Sequence, residues 1–414
     1  MVDEGASRSV AGPGGGTRPI AVHQVLATLS YGDAISNEAM GIQRVLIRAG
    51  YASEIFVETA DRRVEHLTRD YRDLPASSSA DNILVHHFSI QSRASRLAFA
   101  LPDRMILVYH NITPPEYFLG VHERLAETCY LGRRELGAYA ARVQLAVGDS
   151  EFNRQELEEA GFPATGVLPV VPDFSHLDVA PSRLTAGAFD DDYVNVLFVG
   201  RVIPSKKIED VIRFFDEYHR SCNPRSRLLV VGSYWQFEQY YAMLQAFVAS
   251  RGIEHVHLLG QLSNEELAGC YEIADVFLCA SEHEGFCVPL VEAFHVGVPV
   301  VAFAAAAVPA TLDGAGLLYD RKDPALVAAL IDLAVRDRAF REQVLDAQDE
   351  ALVRLVRKDF AACLLDMVQR VAAGPRAEPP RVAADFWQQV DDAGRLEALR
   401  LARPHAYKAL PKRA

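Results

Sequence analysis

The segment SEHEGFCVPLVEAFHVGVPVVAF, residues 281–303, carries two glutamates eight positions apart, Glu284 and Glu292. Glu284 stands beside Gly285, a residue typical of loops. Pro289 suits the first turn of a helix, where its missing N–H costs no hydrogen bond. Glu292 then falls about one turn into that helix, and the apolar run that ends the segment predicts a buried strand. The segment therefore predicts a strand-to-helix loop with a carboxylate on each side of the helix start.

The same alternation of short apolar runs and helical patterns extends outward from this segment. Upstream of it lie VNVLFVG, RLLVVGS, VHLLG and DVFLCA, each separated from the next by a helical pattern. An earlier series begins with IAVHQVLATL and ends with GVLPVVPDF. Continuous apolar strands separated by helices indicate parallel sheets that are covered on both faces. The sequence therefore predicts an α/β protein with two Rossmann-like, doubly wound domains facing a central cleft.

The domain boundaries follow from composition. A Gly-, Ser- and Pro-rich start without an apolar core predicts a disordered leader rather than a signal peptide. Prolines near residues 375–380 indicate a second linker, and we expect the body to stay folded without residues 381–414. The predicted segments are a leader at 1–18, an N-terminal domain at 19–180, a C-terminal nucleotide-sugar-binding domain at 190–345, a C-terminal helix at 346–373 that packs back on the N-terminal domain, and a basic tail at 375–414.

Charge and composition exclude several classes of protein. The chain has 414 residues, half of them apolar, and a net charge of −13, which argues against a nucleic-acid-binding face. No apolar run is long enough for a transmembrane helix. The six cysteines form no CxxC pair, so we expect reduced thiols in a cytoplasmic protein. Residues 395–414 carry six Arg or Lys and one Glu, which indicates either a solvated helix end or contact with a membrane surface or an acidic partner.

The loop after VNVLFVG has the features of an anion site. Gly200 permits a tight turn, and Arg201 and Lys206 flank the loop just before a helix predicted at residues 207–220. Free N–H groups at a helix start favour anions, and a guanidinium and an ammonium add to that effect. We expect a diphosphate site here, although two solvated loop cations are the alternative. The sequence contains neither G-x-G-x-x-G after a strand nor a P-loop.

The loop of the opening segment complements that anion site. The N–H groups of Phe286, Cys287 and Val288 can point at a phosphate or a sugar hydroxyl. Glu284 and Glu292 can accept hydrogen bonds from vicinal hydroxyls on either side of that phosphate, one pair on a hexose and one on a ribose. The alternative for Glu292 is an ordinary acid at the start of a helix.

Three stretches carry a resemblance to a known family: FVGRVIPSKKIEDVI, the run from LLGQLSNEELAG to the end of the opening segment, and GAGLLYDRKDP. They resemble the C-terminal half of the family-4 retaining glycosyltransferases, which have the GT-B fold and an E-x₇-E motif. The similarity is strong over residues 194–325. It is weaker in the N-terminal half, where VYHNITP and AVGDSEFNRQEL carry it.

The resemblance implies a role for each matching residue. Arg201 and Lys206 would bind the nucleotide diphosphate, Glu284 the hydroxyls of the donor sugar, and Glu292 the ribose. His110 in VYHNITP matches the family's histidine near the transferred sugar. The alternative for His110 is a structural role, which is also the interpretation of His86 and His87 in LVHHFS.

Several other positions match the family's pattern less closely. Gly32 and Asp33 occupy the first strand–helix loop, which in the family faces the donor phosphate and the acceptor. We expect Ser36 to cap the helix that follows. The family usually has Gly at the positions of Lys207 and Cys287, and often Glu where this chain has Ala310.

The resemblance implies an activity. We expect a retaining, metal-independent transfer of a hexose from a nucleotide sugar, UDP- or GDP-hexose, to a hydroxyl of a saccharide or glycolipid acceptor. The setting would be bacterial polysaccharide or glycoconjugate synthesis. No cofactor and no nucleic-acid partner are expected, and peripheral contact with the inner face of the membrane would involve the basic tail. The alternatives are a non-catalytic nucleotide-sugar-binding subunit and a sugar-nucleotide epimerase or phosphorylase on a similar fold.

Overall fold

A computed structural model describes residues 20–170, 173–189, 191–378 and 380–410. The leader predicted at residues 1–18 lies outside these ranges. The described chain forms two parallel β-sheets, one in each half, with helices on both faces of each sheet.

The first sheet has seven strands in the order β3-β2-β1-β4-β5-β6-β7, and each neighbouring pair is parallel. Its central strands are buried along their whole length, as expected for a sheet covered on both faces. The strands are β1 (Val22–Leu29), β2 (Ile55–Ala60), β3 (Thr68–Asp70), β4 (Ile83–Phe88), β5 (Arg104–Tyr109), β6 (Leu145–Gly148) and β7 (Thr165–Val167).

The second sheet has six parallel strands in the order β10-β9-β8-β11-β12-β13. In both sheets the order reverses beside the first strand, and ligands of open parallel sheets bind at such a switch point, beyond the carboxyl ends of the strands. The strands are β8 (Val194–Val199), β9 (Ser226–Val231), β10 (Val256–Gly260), β11 (Val276–Cys279), β12 (Val300–Phe303) and β13 (Leu317–Tyr319).

The helices alternate with these strands, and within the described residues none is long and apolar enough to cross a bilayer. They are α1 (Ala34–Arg48), α2 (Leu74–Ser77), α3 (Arg93–Phe99), α4 (Glu123–Tyr139), α5 (Glu151–Glu159), α6 (Arg183–Phe189), α7 (Ile208–Ser221), α8 (Glu238–Arg251), α9 (Asn264–Glu272), α10 (Val288–Val296), α11 (Val308–Leu312), α12 (Pro324–Arg336), α13 (Arg338–Val356), α14 (Phe360–Ala373), α15 (Phe386–Ala402) and α16 (Pro404–Lys408).

The first helix shows how local sequence places a loop at the cleft. Asp33 caps α1, because its side chain accepts a hydrogen bond from the backbone N–H of Ser36. The prediction that Ser36 is the cap is therefore wrong, since Ser36 already lies inside the helix. Ala39, Ile42 and Leu46 recur every three or four residues and bury one face of α1. This packing fixes the loop that precedes Asp33 at the carboxyl end of β1.

The carboxyl edges of the two sheets face each other across the cleft. The Tyr117 hydroxyl of the N-terminal half donates a hydrogen bond to Glu282 of the C-terminal half, at 3.2 Å. The rings of Phe118 and Phe237 pack at a centroid distance of 5.7 Å. These contacts bring the loops that follow the strands of both sheets into one region.

The C-terminal helices connect the two halves in a different way from the predicted single helix at 346–373. The chain forms α13 up to Val356 and a separate helix α14 from Phe360. Helix α13 stays on the second sheet, where the Gln348 side chain accepts from Val300 N and donates to Val298 O at 2.9 and 3.0 Å. The crossing back to the first sheet is made by α14, whose Val368 side chain is fully buried.

The segment predicted to be a separate basic tail packs on the N-terminal domain. Phe386 stacks on Phe99 at 5.6 Å, and Trp387 meets the same ring edge-on at 5.0 Å. Arg96 donates to Asp391 of α15 at 3.1 Å. Residues of α15 therefore pack on the body and are not a separate tail, while the stability of the body without residues 381–414 stays a prediction. The aromatic side chains of α15 face the protein, so they are not available to a membrane surface.

We expect Trp387→Ala to lower the free energy of unfolding by about 2 kcal/mol, because the half-buried indole loses its contact with Phe99. Urea denaturation measures this change. Leu396→Ala is the matched control, since Leu396 lies on the same helix and is 48% exposed. Equal stability of the Trp387 variant and the wild type would show that α15 does not stabilise the fold.

Candidate active site

Lys206 and Glu284 form a buried ion pair at the carboxyl edge of the second sheet. Lys206 ends the short turn after β8, and Glu284 lies in the loop between β11 and α10. The backbone N–H of Glu282 donates to the carbonyl of Ser205 at 2.9 Å, which holds the two loops together. Burial opposes the charge of the ammonium, but the Glu284 carboxylate outweighs it and raises the pKa of Lys206. The structure thus brings two predicted site residues into direct contact.

Left-handed backbone explains two positions where this chain departs from the family it resembles. Lys207 has φ 52° and Cys287 has φ 74°. Glycine reaches this region without the steric penalty that a Cβ atom imposes, about 1–2 kcal/mol per residue. The family's preference for Gly therefore matches the backbone here. Lys207 and Cys287 each begin a helix, α7 and α10, in this strained conformation.

The start of α10 offers free donors to the cleft. Its N-cap residue makes no side-chain capping bond. Among the described residues, none of the hydrogen bonds uses the backbone N–H of Phe286, Cys287 or Val288. Three adjacent unpaired N–H groups and the helix dipole make this end a suitable place for an anion.

At Gly285 the two domains approach each other closely. A Cβ atom on this glycine would lie 3.0 Å from Asn111 Cβ and 3.3 Å from Asn153 Nδ2, both in the N-terminal domain. It would also lie 3.8 Å from the carbonyl oxygen of His110. The absence of a side chain at Gly285 thus permits close approach of the opposite domain.

Arg201 lies at the exposed edge of the site, with its guanidinium over the Phe237 ring at 5.7 Å. Arg201 follows Gly200. The carbonyl group of Gly200 contacts Gly232, which comes directly after β9 and which the sequence reasoning missed. A Cβ on Gly232 would lie 1.8 Å from the Gly200 oxygen, so no other residue fits there without moving the loop. A glycine at the carboxyl end of the neighbouring strand was the signal available in the sequence.

Gly32 and Asp33 lie on the exposed surface of the first strand–helix loop. Gly32 adopts φ 74°, and Asp33 caps α1. The Asp33 carboxylate is one of the charges that raise the pKa of His110, so this loop lies next to the histidine. In the described structure neither residue contacts Lys206 or Glu284.

Glu292 is buried and has two partners. His176 Nε2 and the Tyr271 hydroxyl each donate to one of its oxygens, both at 2.9 Å. It is the fifth residue of α10, and the first turn of that helix contains no acid. The interpretation of Glu292 as an ordinary acid of the helix start therefore does not agree with the structure. His176 was not predicted, because it reaches Glu292 from a segment 116 residues away.

His110 lies in a buried chain of hydrogen bonds in the N-terminal domain. Its Nδ1 is 3.1 Å from Asp149 Oδ2, and its Nε2 is 2.8 Å from His87 Nδ1. His87 Nε2 in turn is 2.9 Å from Gln24 Oε1. The amide nitrogen of Gln24 donates to the carbonyl of Ala39 at 3.0 Å, which completes the chain. Both ring nitrogens of His110 are thus engaged within its own domain.

The protons in this chain can be assigned from its fixed end. Gln24 presents its oxygen, so His87 Nε2 carries a proton. Burial and the His110 charge hold the pKa of His87 far below its usual value, so His87 is neutral and its Nδ1 accepts from His110. Burial disfavours the cationic form of His110, but Asp149 and Glu38 outweigh it and raise its pKa to about 9. His110 is therefore an imidazolium at neutral pH and cannot act as a general base there.

Two carboxylate oxygens beside His110 have no partner among the described residues. They are Glu38 Oε1 and Asp149 Oδ1, and both are buried. Glu38 Oε2 lies 3.7 Å from His110 Nδ1. Burial, together with Asp149, raises the pKa of Glu38. The sequence reasoning missed both acids, although Asp149 directly follows β6, where the parallel sheet collects its functional groups, and Glu38 lies in the helix after β1.

A cavity of about 460 Å³ lies between the two domains beside these acids. Asp149 and Ser150 line it from the N-terminal domain, and Phe286 and Ala310 line it from the C-terminal domain. Where the resembled family often has a glutamate, this chain therefore places a methyl group in the cavity wall. Its lining is mainly apolar, with Asp149, Glu151 and Lys358 as the charged residues.

Two sets of metal-ligand side chains occur at the site. The ligand atoms of Cys279, Glu284 and Cys287 all lie within 4.8 Å of one another, and the same holds for Glu38, His110 and Asp149. The sequence reasoning did not identify either set. Metal independence of the reaction stays a prediction.

The C-terminal half matches a sequence family. Residues 185–349, less than half of the chain, match the model of the family described as "Glycosyl transferases group 1". This range contains Arg201, Lys206, Glu284 and Glu292. The match agrees with the resemblance to glycosyltransferases at that level.

Curated relatives share parts of the chain. The O-antigen chain mannosyltransferase B of Escherichia coli is 27% identical over 257 residues, which cover 59% of this chain and 65% of that protein. The D-inositol 3-phosphate glycosyltransferase of Frankia alni is 32% identical over 225 residues, or 52% and 55% of the two chains. For the alpha-monoglucosyldiacylglycerol synthase of Acholeplasma laidlawii the identity is 31% over 115 residues, 28% of each chain. The chain spans less than two thirds of the length of each of these relatives.

Solved structures are similar over most of the chain. The sucrose-phosphate synthase of Thermosynechococcus elongatus has a TM-score of 0.65 at 17% identity, covering 85% of this chain and 98% of that one. Anabaena HepE in complex with UDP-glucose has a TM-score of 0.63 at 16% identity, with the same coverages. The protein therefore has the GT-B fold, and this prediction is confirmed. The assignment to family 4 and to its E-x₇-E motif stays a prediction.

We expect the bond between His176 and Glu292 to make stability depend on pH. The hydrogen bond from His176 to Glu292 raises the pKa of His176 above its usual 6.5. The protonated histidine therefore stabilises the fold below pH 6.5, and this contribution is lost as the pH rises through the raised pKa. Urea denaturation of wild type and His176→Gln across this range should show the largest difference at the acidic end. His66→Gln, at an exposed position, is the control. A difference that grows with pH would contradict the assignment.

Proposed function

We propose that the protein is a retaining glycosyltransferase that moves a hexose from a nucleotide sugar to a hydroxyl group of a saccharide or glycolipid acceptor. The match of residues 185–349 to group 1 glycosyl transferases and the GT-B fold support this class of enzyme. A role in bacterial polysaccharide or glycoconjugate synthesis is the setting we propose, and a UDP- or GDP-hexose is the donor.

The observation that carries the proposal is the position of Lys206 and Glu284 beside the open start of α10. An ammonium, a carboxylate and three unpaired N–H groups lie together at the switch point of the second sheet. An ammonium and N–H groups bind phosphate oxygens, and a carboxylate binds sugar hydroxyls. This combination suits the junction between the diphosphate and the sugar of a nucleotide sugar.

The donor would lie across this junction. Lys206 and the α10 N–H groups would hold the diphosphate, with Arg201 closing over it from the exposed edge. Glu284 would accept hydrogen bonds from the hexose. Glu292 would accept hydrogen bonds from the ribose in place of its present donor, His176.

Stabilisation of the leaving group would accelerate the reaction. The bond between the sugar C1 and the diphosphate oxygen breaks, and negative charge develops on that oxygen. Fixed donors aimed at such a charge each supply about 3–4 kcal/mol in enzymes where this was measured. The acceptor oxygen bonds to C1 on the same face, and its proton passes to the leaving phosphate. We therefore assign no protein nucleophile.

His110 would act through its charge. Its imidazolium is buried beside the cleft and cannot accept a proton at neutral pH. A fixed positive charge in the wall of the N-terminal domain would favour the anionic leaving group across the cleft. His87 and Asp149 would be positioning residues that keep this ring in place.

The acceptor would bind on the N-terminal side of the cleft. Glu38 Oε1 and Asp149 Oδ1, which have no hydrogen-bond partner among the described residues, can form hydrogen bonds with acceptor hydroxyls. The adjoining cavity can take an apolar part of a glycolipid. Release of nucleoside diphosphate that requires an added acceptor would distinguish transfer from simple donor binding. Donor binding without such release would favour a non-catalytic subunit.

We expect Lys206→Ala and Arg201→Ala each to lower kcat/KM by about 100-fold or more, because each removes a cation that stabilises the leaving diphosphate. Steady-state release of nucleoside diphosphate measures the change. Lys207→Ala is the matched control, since Lys207 is the next residue and contacts Glu282 and Glu209 instead. Addition of EDTA should leave the wild-type rate unchanged. Wild-type rates in both cation variants would disprove the diphosphate site.

We expect the two glutamates to differ in their effect on product binding. Glu284→Gln should impair sugar transfer but leave the affinity for free nucleoside diphosphate almost unchanged, because that product lacks the hexose. Glu292→Gln should weaken binding of donor and product alike by about ten- to a hundredfold, since both contain the ribose. Calorimetric titration with UDP and GDP measures this.

Equal losses of nucleoside-diphosphate affinity in the two variants would show that the carboxylates do not divide the donor in this way. Circular dichroism of both variants checks that each still folds. The Glu-to-Gln change keeps the shape of the side chain, so the comparison isolates the charge.

A further inference from the structure

Two thiols flank the carboxylate of Glu284. Cys279 is the last residue of β11, and Cys287 is the cap of α10. Their sulfur atoms and a Glu284 carboxylate oxygen all lie within 4.8 Å of one another. The three residues are almost fully buried, with exposed fractions of 2%, 8% and 7% for Cys279, Cys287 and Glu284. Neither thiol has a role in the glycosyl transfer derived above.

The loop that carries these groups is held at several points. Tyr319 donates to the carbonyl of Cys279 at 2.9 Å, and Thr311 donates to the carbonyl of Phe286. The N–H of Ala307 donates to the carbonyl of Glu284 at 3.3 Å. The backbone of Cys287 is left-handed, with φ 74°, at the start of α10. The side chains are therefore brought together by a fixed backbone.

The spacing suits one tetrahedral metal ion. Zn–S bonds are about 2.3 Å and Zn–O bonds about 2.0–2.2 Å, so in a tetrahedral site the two sulfur atoms lie about 3.8 Å apart and each lies about 3.6 Å from the oxygen. The ligand atoms here lie within 4.8 Å of one another. Side-chain shifts of at most about 1 Å therefore bring them to these tetrahedral distances. Two thiolates also select a soft metal such as zinc over magnesium or calcium.

The charge of the pocket also suits this ion. Lys206 and Glu284 already cancel each other, and the two thiols are neutral when protonated. Binding of one Zn²⁺ with loss of both thiol protons leaves the total charge unchanged. In this exchange two S–H bonds break, two Zn–S bonds and one Zn–O bond form, and the two protons pass to solvent. A water molecule completes the four ligands.

We propose that Cys279, Glu284 and Cys287 form a binding site for Zn²⁺, and that its occupation blocks the donor site. The metal takes the Glu284 carboxylate away from Lys206 and from the donor hexose. The zinc site itself rests on the geometry of the thiols. Only the inhibitory consequence rests on the proposed glycosyl transfer.

Co²⁺ and Zn²⁺ binding to the full-length, reduced protein tests the site directly. Co²⁺ bound by thiolate absorbs in the near ultraviolet, whereas Co²⁺ bound by carboxylate and imidazole does not. This readout separates the thiol site from the second ligand set, Glu38, His110 and Asp149. We expect the thiolate absorption, its loss on titration with Zn²⁺, and release of about two protons for each Zn²⁺ bound.

Cys287→Gly is the informative variant, because glycine suits the backbone at φ 74° and the fold should be kept. It should remove the thiolate absorption and weaken zinc binding by about 100-fold or more, since one of the two thiolate ligands is lost. Cys279→Ala should do the same. Cys363→Ser, which removes an exposed thiol, is the matched control and should bind zinc as the wild type does.

Unchanged absorption and zinc affinity in both Cys287→Gly and Cys279→Ala would overturn the zinc site. Zinc binding by the wild type without any thiolate absorption would also overturn the zinc site. The inhibitory part is measured as the ratio of activity with and without zinc for each protein. Zinc bound through thiolates without any loss of activity would overturn that part. Absence of sugar transfer under all conditions would contradict the proposed function. The absorption measurements would still test the zinc site, because they do not depend on activity.

Discussion

The buried ion pair between Lys206 and Glu284 is the interaction around which the site is arranged. It joins the loops that follow β8 and β11, neighbouring strands of the second sheet. Such a pair adds little to stability, but removal of one member leaves a buried charge without a partner. Its position is therefore best explained by chemistry at the cleft. Lys207 and Cys287 accept strained backbone on either side of it.

The opposite wall of the cleft is organised in a similar way. There the cation is His110, paired with Asp149 and held from behind by His87. Each wall thus has a positive charge at the carboxyl edge of its sheet, with a carboxylate beside it. A ligand that combines a diphosphate with sugar hydroxyls can pair with both kinds of group, which is the physical basis of the proposed donor.

The carboxylates also define how the two walls differ. Glu284 lies beside Lys206 and within reach of two thiols. Among the described residues, Glu38 and Asp149 each have one buried oxygen without a hydrogen-bond partner. In the proposed function, the first wall would recognise the diphosphate and the sugar hydroxyls of the donor, and the second would bind hydroxyls of the acceptor.

Much of the fold was predictable because it depends on local patterns. Apolar runs separated by helical periodicity placed the strands, and Pro289 placed the start of α10 to within one residue. The same reasoning brought Lys206 and Glu284 to one edge, because parallel strands end on the same side of a sheet. It could not find the bond between His87 and Gln24, whose positions differ by 63 residues. Nor could it find His176 beside Glu292.

The sequence by itself determined the two doubly wound domains and the loops that bear the charged residues, since strand and helix periodicity are properties of neighbouring residues. Only the tertiary structure decided which of these residues meet and in which protonation state. The charge of His110 depends on acids from two other elements, α1 and the loop after β6. The place of α15 was likewise decided by aromatic contacts with a helix nearly 300 residues earlier. Contacts of this kind depend on how distant segments pack, and no local pattern encodes them.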